Sequence, residues 1–207
     1  MINLLVNATK GRNLFVMLRK LTKRLENSSR DQALKWAIEQ AVMTTDDFCK
    51  SIDESLYVAV RQEILDVETK AESQMSRIGL DLGGGGNYHL LYFLVRKLRP
   101  INVVETGVAA GWSSLAILKA LDKNKCGKLY SSDFPYFRLK RPEQFIGILV
   151  QSPKLRERWH LDIRGDEVSL PNFRKLLGKD KIQLFHYDSD KSYSGRKFAL
   201  KVLQEKI

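Results

Sequence analysis

A parallel, doubly wound α/β sheet with a helical N-terminal extension is the fold class this 207-residue sequence predicts, and three observations carry it. From residue 90 onward, helical patterns alternate with short β-rich runs that end near 105, 132, 163 and 187, the spacing of βαβ units. Residues 1 to about 80 hold few β-branched runs and many helix formers. Four consecutive glycines, Gly83 to Gly86, separate the two textures. The expected division is a helical extension over 1–86 and an α/β domain over 87–207.

In the extension, Leu14, Leu18, Leu21 and Leu25 fall at spacings of four, three and four, with Arg12, Arg19, Lys20, Lys23 and Arg24 on other faces. That is a basic amphipathic helix. Packing on the domain or on a second copy, giving a homo-oligomer, is the favoured role; peripheral contact with a membrane is the alternative. Thr45-Asp46-Asp47 is a helix start signal, and the helix it opens is expected to run through Ala71. No strand precedes the glycine run and no Lys-Ser/Thr follows it, so it reads as a hinge and not as a phosphate loop.

In the domain, residues 90–98 predict a helix closed by Pro100, 101–105 a short buried strand, and 113–121 a helix. A second strand follows at 128–132, then a helix around 143–150 and a third strand at 159–163. Residues 173–177 give a short helix, 182–187 a fourth strand and 193–205 a final helix. Right-handed crossovers arrange the strands in the order 3-2-1-4. No further strand follows before Ile207, so the sheet is expected to be cut short after its fourth strand and helix. Such an exposed edge implies either a shortened gene product or another chain that covers it.

Composition excludes several classes. Apolar residues make up 43% and charged residues 29%, enough for a packed core. No apolar run approaches the roughly 20 residues that span a bilayer, and no signal-peptide pattern opens the chain. Cys49 and Cys126 are too few and too far apart for a disulfide framework, which points to a reducing cytoplasm. His89, His160 and His186 are too scattered for a histidine-rich zinc site. The net charge is +11; residues 1–30 hold seven basic side chains against one acidic, and residues 31–80 five against ten. Such a balance suits nucleic acid, an anionic membrane or a phosphorylated substrate. Without an aromatic ladder or zinc knuckle, nucleic acid is disfavoured.

In a doubly wound sheet, ligands bind beyond the carboxyl ends of the strands. The first strand end runs Glu105-Thr106-Gly107-Val108-Ala109-Ala110-Gly111-Trp112-Ser113-Ser114. Gly107 permits a sharp turn, and Gly111 a close backbone approach at a helix start whose amides favour a carboxylate or phosphate. Plain βα turns use glycines in the same way, and the absence of G-x-G-x-x-G counts against a dinucleotide such as NAD. Asp133, at the second strand end, is placed to accept ribose hydroxyls or is an ordinary loop aspartate. Asp166, after the third, lies where an adenine edge would fall or caps a helix. After the fourth come Asp188 and Asp190, a carboxylate pair suited to metal or acid–base work. Asp190 has a second reading as the cap of the final helix, and His186 one as packing beneath the site.

Together these segments, spanning about residues 90–200, resemble class I S-adenosylmethionine-dependent methyltransferases, nearest to methyltransferase family 24 with its macrocin and rhamnosyl O-methyltransferases. The resemblance rests on Val104-Glu105-Thr106-Gly107-x-x-x-Gly111-x-Ser113-Ser114, Tyr130-Ser131-Ser132-Asp133, Leu155-Arg156-x-Arg158-Trp159 leading to Gly165-Asp166, and Leu184-Phe185-His186-x-Asp188-Ser189-Asp190-x-Ser192-Tyr193. It implies a Rossmann-like fold, S-adenosyl-L-methionine as cofactor, and a divalent metal such as Mg as a further candidate. It implies that Gly107 and Gly111 cradle the methionyl part, with Glu105 and Ser113 or Ser114 near its amino and carboxylate groups. Asp133 would hold the ribose, Asp166 would sit by the adenine, and Asp188 would serve as metal ligand or base. The implied reaction is O-methylation of a small-molecule or sugar hydroxyl; a degenerate, non-catalytic binding homologue is the alternative. Two departures stand out: Lys191 replaces a frequent family histidine, and the Gly-Gly strand with its Asp-Asp pair does not appear.

Overall fold

A computed structural model describes residues 2–11, 13–23 and 30–207. Arg12, Arg24 and Leu25 of the expected basic stripe lie outside the described residues, as do the side chains of Arg19, Lys20, Leu21 and Lys23. Three short helices, α1 (Ile2–Ala8), α2 (Asn13–Lys23) and α3 (Arg30–Gln40), precede the long α4 (Thr45–Ile78). Thr44 caps α4 by accepting the N–H of Asp47 at 3.1 Å. Gly79, left-handed at φ 64°, closes it beyond the expected end. Asp53 interrupts α4 with φ −166° and ψ 93°, and its carboxylate restarts the helix by accepting the N–H of Leu56 at 3.0 Å. No helix among the described residues is long and apolar enough to cross a membrane.

The α/β region runs α5 (Tyr88–Leu98), β1 (Asn102–Thr106), α6 (Trp112–Asn124), β2 (Lys128–Ser132), α7 (Pro153–Arg156), β3 (Trp159–Asp162), α8 (Asp166–Leu176), β4 (Leu184–Tyr187) and α9 (Tyr193–Leu203). The four strands are parallel in the order β3-β2-β1-β4, as the crossover rule predicts. All five residues of β1 are buried, because it is central and covered on both faces. Side chains alternate. Val103 and Leu129 join the core under α4, α5 and α6, and Val104 with Tyr130 and Phe185 packs against α8 and α9. Cys49, Tyr57, Val60, Ile64 and Ala71 of α4 share the first of these cores with Leu91, Tyr92, Phe93 and Val95 of α5.

Two helices differ from expectation. Residues 143–150 form no α-helix: a 3₁₀ turn at Pro142–Phe145 gives way to a bend at Gly147, φ 66°. The amides of that stretch pair elsewhere, Gly147 N–H with the Ala109 carbonyl at 2.8 Å and Leu149 N–H with that of Ala110 at 3.0 Å. The helix expected at 173–177 starts instead at Asp166 and passes through Pro171. The fully buried Leu170 and Phe173 hold it despite the lost backbone donor.

Candidate active site

The ends of β1, β2 and β4 meet around a cavity of about 160 Å³. Gly107, Val108 and Ala109 of the β1–α6 turn, Ser113, Asp133, Asp188 and Ser189 form its inner wall. Gly84, Gly85, Trp112 and Tyr136 form the rest. Gly107 is required twice over. Its φ is +82°, and a Cβ there would lie 2.6 Å from the Asp188 carbonyl oxygen, so the β1 and β4 tips touch through bare backbone.

Of the residues named from sequence, Gly107, Ser113, Asp133 and Asp188 converge on the cavity. Glu105 does not line it. The side chain is fully buried behind the wall, where its carboxylate accepts the hydroxyls of Ser113 and Ser114 at 2.5 Å and that of Ser131 at 2.8 Å. Ser114 is buried with it. Trp159 extends the network by donating its indole N–H to Ser131 Oγ at 2.8 Å, and His186 Nδ1 faces Glu105 Oε1 at 3.6 Å. His186 therefore packs beneath the site. Gly111 makes its close approach to the chain, not to the cavity: a Cβ there would lie 2.9 Å from Gly147 Cα.

Asp166 opens α8 and accepts the hydroxyls of Ser132, at 2.7 Å, and of Ser189, joining the tips of β2 and β4. Burial pushes its carboxyl above the usual range, with both serine bonds and nearby Glu167 and Asp190 charges as smaller influences. Asp190 is not the cap of α9; Ser192 is, accepting the N–H of Gly195 at 3.0 Å, while Asp190 Oδ1 accepts the N–H of Ser192.

The glycine run is part of the site, which local reading missed. Gly85 is wedged between rings: a Cβ there would lie 2.6 Å from both Trp112 Cβ and Tyr88 Cδ1. Tyr136 donates its hydroxyl to the Leu82 carbonyl at 2.7 Å, so the residue just ahead of the glycine strap, residues 83–86, is tied to the loop after β2. A larger, shallower groove of about 630 Å³ lies between α4 and residues 148–151. It includes none of the strand-tip residues.

The electrostatics bear on metal chemistry. Lys191 Nζ lies 2.7 Å from Asp188 Oδ1, and among the described residues no group of three His, Cys, Asp or Glu gathers at any point. Of the two carboxylates that line the cavity, Asp188 is paired with Lys191 and Asp133 accepts the backbone N–H groups of Val108 and Ala109. A divalent ion does not fit this donor set.

A glycine turn, a strand-tip aspartate and a second aspartate off the fourth strand, in this order on this sheet, agree with the family described as "Methyltransferase domain", whose pattern matches residues 104–207. The chain belongs to that family. The resemblance read from the four motifs is thereby borne out. No curated protein sequence matches the chain. Among solved structures, an O-methyltransferase from Bacillus cereus in complex with SAH superposes with a TM-score of 0.51 at 18% identity, covering 70% of this chain and 67% of that one. The O-methyltransferase TomG from Streptomyces achromogenes, in complex with SAM, gives 0.48 at 17%, covering 66% and 59%. The SAH-bound Podospora anserina methyltransferase PaMTH1 gives 0.46 at 14%, covering 88% and 68%. At such identities the first of these supports the shared fold and nothing finer. This member of the methyltransferase-domain family thus spans only about two thirds or less of the first two structures' lengths.

Proposed function

We propose that the protein is an S-adenosylmethionine-dependent O-methyltransferase acting on a small-molecule or sugar hydroxyl. The observation that carries this reading is the convergence of Gly107, Ser113, Asp133 and Asp188 on one cavity at the carboxyl ends of β1, β2 and β4. At about 160 Å³ the cavity is smaller than the roughly 300–1,000 Å³ of sites for drug-sized ligands. A ligand the size of a whole nucleoside would need room beyond it.

The lining suits a sulfonium. Trp112 and Tyr136 offer aromatic surface to a cation. When bound, S-adenosylmethionine supplies an electrophilic methyl group on sulfur. The chain's own residues then align and deprotonate the acceptor, since displacement at a methyl group depends chiefly on geometry. Asp188 Oδ1 is held by Lys191, while Oδ2 points toward Gly86 on the strap. With the cofactor bound, Oδ2 would be the atom to take the proton of the acceptor's hydroxyl. The strap of residues 83–86 screens that exchange from water.

Calorimetric titration with S-adenosylhomocysteine tests the cofactor assignment, and radiolabelled methyl transfer to a panel of hydroxylated acceptors tests the reaction. Binding is expected for the parent and for Asp188→Asn, with transfer lost in that variant by a factor of about 10²–10⁴. No heat with the parent would sink the reading. Binding without transfer to any acceptor would favour the non-catalytic homologue.

A further inference from the structure

The first two helices place their apolar side chains on the outside. Ile2, Leu5 and Val6 lie at i, i+3 and i+4 on α1, and Leu14, Phe15 and Leu18 cluster on one face of α2. All six are exposed, Phe15 to 69%. Asn7, on the other side of α1, is buried instead. Its amide donates to the Phe137 carbonyl at 3.1 Å and the Leu139 carbonyl at 2.9 Å. Two further bonds fasten the pair: Asn13 Nδ2 donates to the Asn7 carbonyl at 2.8 Å and Lys10 Nζ to Asn7 Oδ1 at 3.1 Å. Asn7 fastens the pair to the domain while Leu4, Val16 and Met17 are half-buried, and six large apolar side chains still face outward, a contiguous exposure that calls for a partner.

Charge decides which partner suits that face. Residues 1–30 carry seven basic side chains against one acidic, whereas residues 31–80 are net acidic. A second copy seated face to face would bring two such basic segments together, which is repulsive. An anionic lipid surface gains from the same charge and takes the apolar side chains into its headgroup boundary.

We infer that the α1–α2 face is a docking surface for an anionic membrane. It stands independently of methyl transfer. Phe137, one of its anchor points, directly follows the cavity residue Tyr136, so the docked face is tied to the cavity wall.

Co-sedimentation of the full chain with vesicles tests it, using phosphatidylcholine alone and phosphatidylcholine with about 30% phosphatidylglycerol. Binding is expected only to the anionic vesicles and should weaken as salt rises. The double change Phe15→Asp and Leu18→Asp should cut partitioning by about tenfold or more while leaving the thermal midpoint in place, since both side chains are exposed. Absence of binding to anionic vesicles at low salt would overturn the inference. So would undiminished binding by the double variant, which would mark charge attraction without a docked face. A concentration-dependent dimer that Phe15→Asp dissolves, with no vesicle binding, would assign the face to a second copy and overturn it as well.

Discussion

The carboxylate of Asp133 turns back on the first β–α loop, where Oδ2 accepts the N–H of Ala109 at 2.6 Å and that of Val108 at 2.9 Å. Ala109 is a non-glycine residue at φ 51°, a conformation that needs outside support. One strand tip thus holds the turn of its neighbour in shape. The residue that sequence places at a ribose also builds the cavity it lines.

Asp133→Ala should therefore do more than remove a ligand contact. Two amides lose their acceptor, for a loss of about 1–3 kcal/mol in urea unfolding. Affinity for S-adenosylhomocysteine should fall in parallel by about tenfold or more. A variant as stable as the parent would show that the turn stands without the aspartate.

Glu105 should be the most sensitive of the strand-tip acids. Glu105→Ala strands the hydroxyls of Ser113, Ser114 and Ser131 in a buried place and should cost roughly 3 kcal/mol or more. Glu105→Gln keeps one acceptor oxygen and should cost less. Equal losses in denaturant midpoint would contradict the network.

Alanine substitutions along the glycines offer a steric control. At Gly107 and Gly85 the added methyl meets atoms at 2.6 Å, whereas at Gly84 it meets nothing within 4 Å. Gly107→Ala and Gly85→Ala should each destabilise by about 1–3 kcal/mol, and Gly84→Ala by less than about 0.5 kcal/mol. Thermal scans that fail to rank them so would mean the strap is not wedged against Trp112.

Two aspartates near the end of β3 should give pH profiles of opposite slope. The hydrogen bonds and charge of Arg164 hold Asp162 below the usual carboxylate range, against the upward pull of burial. Its contribution is present above the unfolded value near about 3.9 and is lost as pH falls through the lower folded value. Asp166 is raised by burial, so the folded chain holds its proton longer, and stability declines as pH climbs from the unfolded value through the folded one. Asp162→Asn should flatten the acid limb of thermal stability measured between about pH 3 and 7. Asp166→Asn should gain on the parent as pH rises over that interval; a constant difference would refute the assignment.

The strands were legible because their signal is local: Val103-Val104 between a proline and a glycine turn, with tips repeating at βαβ spacing, dictates both element and order. The strand-tip rule brought Gly107, Ser113, Asp133 and Asp188 together for the same reason. It missed the direction of Glu105, whose three serine partners come from two other elements, although the adjacent Ser113-Ser114 pair offered a hint. The wedge of Gly85 against Trp112 depends on how α4 returns the chain, a relationship 27 residues apart that no local pattern carries. Residues 143–150 look helical from their apolar content, yet the buried amides of Gly147 and Leu149 answer carbonyls in the β1–α6 turn instead.

Glu63, midway along α4, collects Tyr92 and Arg96 from α5, at 2.8 and 2.5 Å, and Lys123 from α6 at 2.8 Å. Around that clamp, Tyr57, Val60 and Ile64 roof over Tyr92 and Val95. A chain begun at residue 87 would strip this roof away and open an apolar flank to water, inviting aggregation before any pocket formed. A piece meant to fold by itself is expected to need the Tyr57–Ile64 stretch of α4, well upstream of the glycines.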